Sequence, residues 1–99
     1  MRPRQYLRPA RLPPADEFCK MAASIAVAEP GELKVASVEG ANLIVIELSA
    51  PPEEVGRLVG RDGRTIAAIR VLADALAQRI GKRVLVDVQP VHRPGMARR

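Results

Sequence analysis

The stretch Gly56-Arg57-Leu58-Val59-Gly60-Arg61-Asp62-Gly63-Arg64-Thr65-Ile66 holds the residue types best suited to binding a polyanion. Gly60 and Gly63 enclose two polar residues, Arg61 and Asp62. Glycine reaches backbone angles closed to other residues and lets another chain come close. A helix starting near Arg64 offers unpaired N–H groups and a partial positive charge just behind the loop. Arg57, Arg61 and Arg64 fall within eight residues and can reach phosphates. Gly56 precedes Gly60 by one helical turn, so both can bare the same face. The four loop residues alone do not separate this reading from a plain joint between two helices with glycines at a C-cap.

Other chemistries find less support. The Walker spacing is absent, because three residues separate Gly56 from Gly60 and no Gly-Lys-Ser/Thr follows. A dinucleotide fingerprint would join a strand to a helix, whereas this loop joins two helices. His92 is the single histidine and Cys19 the single cysteine. One of each builds neither a nucleophile–base pair nor a metal-ligand cluster, so no enzyme, cofactor or metal is expected. Cys19 reads as a small apolar residue buried on a helix. Glu53 and Glu54 resemble paired acids but suit the positive end of a starting helix better. No apolar run approaches the ~20 residues of a membrane helix. The run Met21 to Ala28 is too short for a secretory signal, and Asp16, Glu17 and Lys20 precede it.

The elements around the loop follow from patterning. A helix is expected from near Pro14, with Phe18, Met21, Ala22, Ile25 and Ala28 as its apolar stripe and Pro30-Gly31 as its stop. Leu33 to Glu39 and Leu43 to Leu48 read as a hairpin about Gly40-Ala41-Asn42, with Leu33, Val35 and Ser37 inward on the first strand and Ile44, Ile46 and Leu48 alternating on the second. Pro51-Pro52-Glu53-Glu54 opens a short helix whose apolar positions are Val55, Leu58 and Val59. A longer helix follows from Arg64, with Ile66, Ile69, Ala73, Leu76 and Ile80 inward and Leu72 widening the stripe. Gly81 ends it, and Val84 to Val88 is a last strand stopped by Pro90. The order α-β-β-α-α-β gives an α+β fold: a three-stranded sheet with helices on one face.

The 99 residues allow one domain and no deep active site. Residues 1–13 read as a flexible Arg/Pro arm, 14–89 as the domain, and 90–99 as a flexible basic tail. The net charge of +5 suggests a polyanionic partner, but the arm carries +4, the tail +3 and the domain −2. The domain must therefore meet a polyanion with a local cluster. Tyr6 and Phe18 are the only aromatics, so little base stacking is on offer.

Val55-Gly56-Arg57-Leu58-Val59-Gly60-Arg61-Asp62-Gly63-Arg64-Thr65 resembles the V-G-K-[VL]-I-G-[KR]-x-G-[KR]-T signature of KH domains, and the element order resembles their bacterial type II arrangement. Glu47-Leu48-Ser49 and Gly81-Lys82-Arg83-Val84 strengthen a resemblance to the stand-alone bacterial KhpA family across about residues 16–88. The resemblance implies a cytoplasmic, non-catalytic protein that binds single-stranded RNA as a chaperone or post-transcriptional regulator. Gly60 and Gly63 would shape the loop, while Arg61 and Asp62 would meet the RNA backbone. Gly56, Arg57, Val59 and Ile66 would line a shallow groove for about four nucleotides, with Arg64 at the start of the next helix. The resemblance also implies a homodimer, or a heterodimer with a KhpB-type protein. A second expectation is a protein-interaction module with little RNA binding, acting with such a partner in control of cell elongation. Neither reading involves a membrane or a small-molecule substrate. Asp62 departs from the pattern: its charge opposes phosphate contact unless it pairs with a nearby arginine and holds the loop.

Overall fold

Helices and strands follow one another as α1 (Ala15–Ala26), β1 (Lys34–Glu39), β2 (Leu43–Ala50), α2 (Pro52–Val59), α3 (Arg64–Gln78) and β3 (Arg83–Pro90) in the computed structural model, which describes residues 11–91. Tyr6, His92 and most of the arm and tail lie outside the described residues. The sheet has the order β1-β2-β3. β1 pairs antiparallel with β2, from Lys34 opposite Ser49 to Glu39 opposite Ile44. The N–H of Gly40 donates to the carbonyl of Leu43 at 2.8 Å and closes the hairpin. β2 pairs in parallel with β3, from Leu43 beside Arg83 to Ala50 beside Pro90. This is the expected α+β architecture.

One face of the sheet carries the core. Ile44, Ile46, Leu48 and Ala50 of β2 are buried, as is Val86 of β3, and all belong to one cluster with α1, α2 and α3. Alternation with period two sends Val38, Val45 and Leu85 to the other face, where the register sets them side by side. Val38 and Leu85 are exposed there. Leu33, just before β1, and Val35 within it turn inward as expected; Ser37 is exposed, and its hydroxyl donates to Asp16 at 3.2 Å.

The helices differ from the sequence reading in which face they bury. α1 buries Ala15, Cys19 and Ala23, while Met21 and Ile25 stand exposed, Ile25 at 83%. The reason is the neighbour: α1 packs against α3, whose buried residues include Ala73 and Ala77. Small residues on both helices allow close approach; Met21 and Ile25 are turned out, while Phe18 and Ala22 of the expected stripe are half-buried against the core. α1 ends at Ala26, earlier than expected, and Pro30–Glu32 forms a separate 3-10 turn. In α3, Ile66, Ile69 and Ala73 are buried as expected, but Ala77 takes the place given to Ile80. Ile80 lies past the helix end, where the N–H of Lys82 donates to Ala77 and that of Gly81 to Gln78, with Gly81 at φ +72°. Leu72 is also exposed. β3 does not stop before Pro90 but includes it. The N–H groups of Arg83 and Val91 donate to Asn42 and Ala50. The odd residues of β3 thus face β2, and the missing N–H of Pro90 falls on the outer edge, where it breaks no ladder bond.

Leu58 is fully buried on α2, whereas Ile25 is not. Leu58→Ala should cost about 2–5 kcal/mol of stability in urea denaturation. Ile25→Ala should stay within about 0.5 kcal/mol of the parent.

Candidate nucleic-acid interface

Pro51 and Pro52 set the start of α2, with Glu53 and Glu54 in its first turn. Leu58 anchors the helix to the core. The opposite side carries Gly56 and Arg57, both exposed, and Val59 is half-buried. A side chain added at Gly56 would meet nothing within 4 Å, so the glycine leaves open surface beside the helix.

α2 ends where the N–H of Gly60 donates to the carbonyl of Gly56 at 2.8 Å. Gly60 then adopts φ +80°, ψ 169°, a conformation essentially confined to glycine. Space imposes the same choice: a Cβ there would sit 2.3 Å from Thr65 Oγ1 and 2.8 Å from Thr65 N. The loop is thus folded directly onto the first turn of α3. Arg61–Gly63 forms one 3-10 turn, closed by a bond from the N–H of Gly63 to Gly60 O at 3.0 Å. Asp62 is left-handed at φ 55°, ψ 27°, and Gly63 is left-handed at φ 74°. Among the described residues Asp62 is the only non-glycine with positive φ. Aspartate tolerates this region better than most residues. That is the structural reason for an acid at the tip; the alternative, pairing with a nearby arginine, does not form among the described residues.

Arg61 and Asp62 project from the loop, and Arg64 is exposed at the start of α3. No side chain caps that helix, whose N-cap residue is Gly63. The N–H of Arg64 donates to the carbonyl of Arg61, and the positive end of the helix dipole points into the loop region. Gly56, Arg57, Arg61, Asp62 and Arg64 form an exposed strip, with Val59, Gly60 and Gly63 half-buried among them. Ile66, grouped with them from the sequence, is 6% exposed and belongs to the core. It backs the strip more than it lines it. Surface pockets lie elsewhere. One of about 370 Å³ is bounded by Leu12, Ile44, Leu76 and Ile80, and no residue of the strip borders it.

Two residues of this region were not singled out for it from the sequence. Glu54, assigned only to helix-start electrostatics, is 4% exposed. Its carboxylate accepts the N–H groups of Ala28 at 3.1 Å and Glu29 at 2.7 Å, and lies 3.0 Å from the Nε of Arg57. Arg70 of α3 donates from Nε and Nη2 to the carbonyl of Val86 at 3.0 and 2.9 Å. That carbonyl faces the outer edge of β3, on the side where α2 and α3 pack. The bonds of Glu54 to Ala28 and Glu29, and that of Arg70 to Val86, leave no local signal because the partners are distant in the chain; only the Glu54–Arg57 pair has a helical spacing. Cys19 is fully buried, and burial, with Asp16 adding to it, pushes its thiol up to about 11. That is the setting of a packing residue and not of a nucleophile. No group of three or more His, Cys, Asp or Glu is placed to hold a metal among the described residues. No helix there is long and apolar enough to cross a membrane.

Residues 17–88 match the family model described as KhpA/KhpB, KH domain. The RNA-binding protein KhpA of Aquifex aeolicus is 32% identical over 72 residues, which span 73% of this chain and 91% of that protein. Its namesake from Caldanaerobacter subterraneus is 38% identical over 72 residues, spanning 73% and 96%. That of Leifsonia xyli is 42% identical over 62 residues, spanning 63% and 79%. Among solved structures, Aquifex aeolicus Era bound to GDP and AlF4 superposes with a TM-score of 0.59 at 22% identity. It covers 87% of this chain and 36% of Era. Era in complex with a nucleotide and part of 16S ribosomal RNA gives 0.58 at 24% identity, covering 82% and 32%. The chain thus shares a fold with about a third of Era.

The two loop glycines differ in what replaces their hydrogen. Gly60→Ala meets both a forbidden backbone region and the Thr65 side chain, and should cost at least about 1–3 kcal/mol. Gly63→Ala meets open space and should cost only the left-handed strain of about 1–2 kcal/mol. Thermal denaturation of the two variants should rank them in that order.

Proposed function

Because the chain belongs to the KhpA/KhpB family of KH domains, we propose that it is a non-catalytic, cytoplasmic binder of single-stranded RNA, with residues 14–89 as the binding domain. The loop Gly60–Gly63 grips the sugar–phosphate backbone. The observation that carries this reading is the start of α3, free of any side-chain cap, behind a loop shaped by three residues of positive φ. Backbone N–H groups and a helix dipole there favour phosphate without reading sequence. Arg57, Arg61 and Arg64 add charge from three directions around the loop. Gly56 and Val59 give the sugar and base a shallow floor, and the outer edge of β3 lends backbone groups to base edges. With no aromatic residue in the strip, stacking contributes little, so one domain binds weakly and with modest sequence preference.

Weak binding by one copy is offset when two grooves are joined. Val71 and Leu72 of α3 are 68% and 52% exposed, and Ala68 and Ala75 lie on the same helix face. This stripe supports association with a second copy or with a KhpB-type protein. RNA chaperoning or regulation, and through such a partner control of cell elongation, are the roles that follow. The arginines of residues 1–13 and 90–99 supply further nonspecific contact.

Titration of the chain with single-stranded RNA at several salt concentrations tests the reading. Arg61→Asp should weaken binding, and each arginine removed from the trio should lower the log–log salt slope by about 0.7. Gly56→Ala separates function from folding. It should stabilise α2 by about 0.5–1 kcal/mol while weakening RNA binding, because the methyl group occupies the open floor. Binding indifferent to both substitutions would leave the protein-interaction reading in its place.

A further inference from the structure

Glu54 is the only buried charged residue among the described residues, and its carboxylate is fully engaged. A carboxylate leaves water at tolerable cost only when paired and hydrogen-bonded. Two of its three donors are the N–H groups of Ala28 and Glu29, 26 and 25 residues away, in the connection that follows α1. The third is the Nε of Arg57, one turn along α2. The α1–β1 connection therefore fixes the carboxylate, and the carboxylate fixes the arginine. The Arg57 side chain is otherwise 58% exposed. With Nε held, the four N–H groups on its Nη1 and Nη2 have no partner among the described residues.

We infer that Glu54 is a positioning residue for phosphate: it holds the Arg57 guanidinium ordered in the free protein, with its remaining N–H groups presented to the RNA backbone beside the loop. The inference rests on the RNA-binding reading above. A long side chain that must be ordered on binding weakens affinity by about two- to tenfold relative to one already in place. The same contact has an opposing electrostatic effect, since a carboxylate beside an arginine lowers its pull on a phosphate. Neutralising Glu54 makes the two effects act in opposite directions, so the sign of the change identifies the role.

The test uses the full chain and fluorescein-labelled oligouridine, with Glu54→Gln, Arg57→Ala and the double variant. Glu54→Gln is expected to lower affinity about two- to tenfold with the salt slope unchanged, because Arg57 still meets its phosphate. The double variant is expected to bind no more weakly than Arg57→Ala alone. A purely structural role would not produce that coupling. Affinity unchanged or raised in Glu54→Gln, or losses that add in the double variant, overturns the inference. Circular dichroism establishes that each variant is folded at the titration temperature. If Glu54→Gln does not fold, the parent chain decides by NMR. A resolved, exchange-protected Arg57 Nε–H signal that persists with oligouridine supports the inference; a signal averaged like that of solvated arginines overturns it. A parent chain that does not bind oligouridine overturns the RNA reading and this inference together. A parent weakened by Arg57→Ala but indifferent to Glu54→Gln overturns the inference alone.

Discussion

Parallel pairing of β2 with β3 is the constraint from which the rest of the architecture follows. Parallel neighbours cannot be joined by a hairpin; the chain must return along the sheet before the second strand begins. Here the return is made by α2, a three-residue turn and α3. Both helices have to bury a face, α2 through Leu58 and α3 through Ile66, Ile69, Ala73 and Ala77. The turn between them is left with little slack. It reverses direction by placing Gly60, Asp62 and Gly63 at positive φ, with the Gly60 backbone against Thr65. The demand of the sheet for a crossover thus produces the exposed helix start that the proposed function uses.

Much of this was legible in the sequence, because the informative features were local. Period-two alternation gave Ile44, Ile46 and Leu48; proline and glycine punctuation gave the helix starts and the stop at Gly81. The loop was legible through its context: the glycine pair alone fits a plain helix joint as well, and the flanking elements and the longer signature from Val55 to Thr65 carried the reading. What escaped was decided by neighbours far along the chain. The inward face of α1 could not be read from its largest side chains, since the fit against Ala73 and Ala77 selected the small ones. Glu54 looked like an ordinary acid in a first helical turn. Its two amide donors lie in a connection that packs against α2 only after folding. Pro90 looked like a strand stop because the sequence does not reveal which edge of β3 faces a partner.

Charge at the candidate interface is modest. The domain carries −2, Asp62 adds a negative group at the loop tip, and Arg57 is already in contact with Glu54. Each acid has a structural reason: Asp62 tolerates a left-handed backbone, and Glu54 ties two parts of the chain together. The positive side chains of this strip are therefore partly offset by its own acids. This agrees with the separation already visible in the sequence, where the surplus of arginine belongs to the two ends and not to the domain.

The outer edge of β3 has a consequence for the behaviour of the protein in concentrated solution. A strand with unpaired N–H and C=O groups is a template for further strands, and long open edges promote aggregation. On β3 the outward carbonyl of Val86 is occupied by the Arg70 guanidinium, and the outward position at Pro90 has no N–H to offer. An incoming strand finds one acceptor taken and one donor missing along an eight-residue edge. The edge therefore resists extension of the sheet by a further strand.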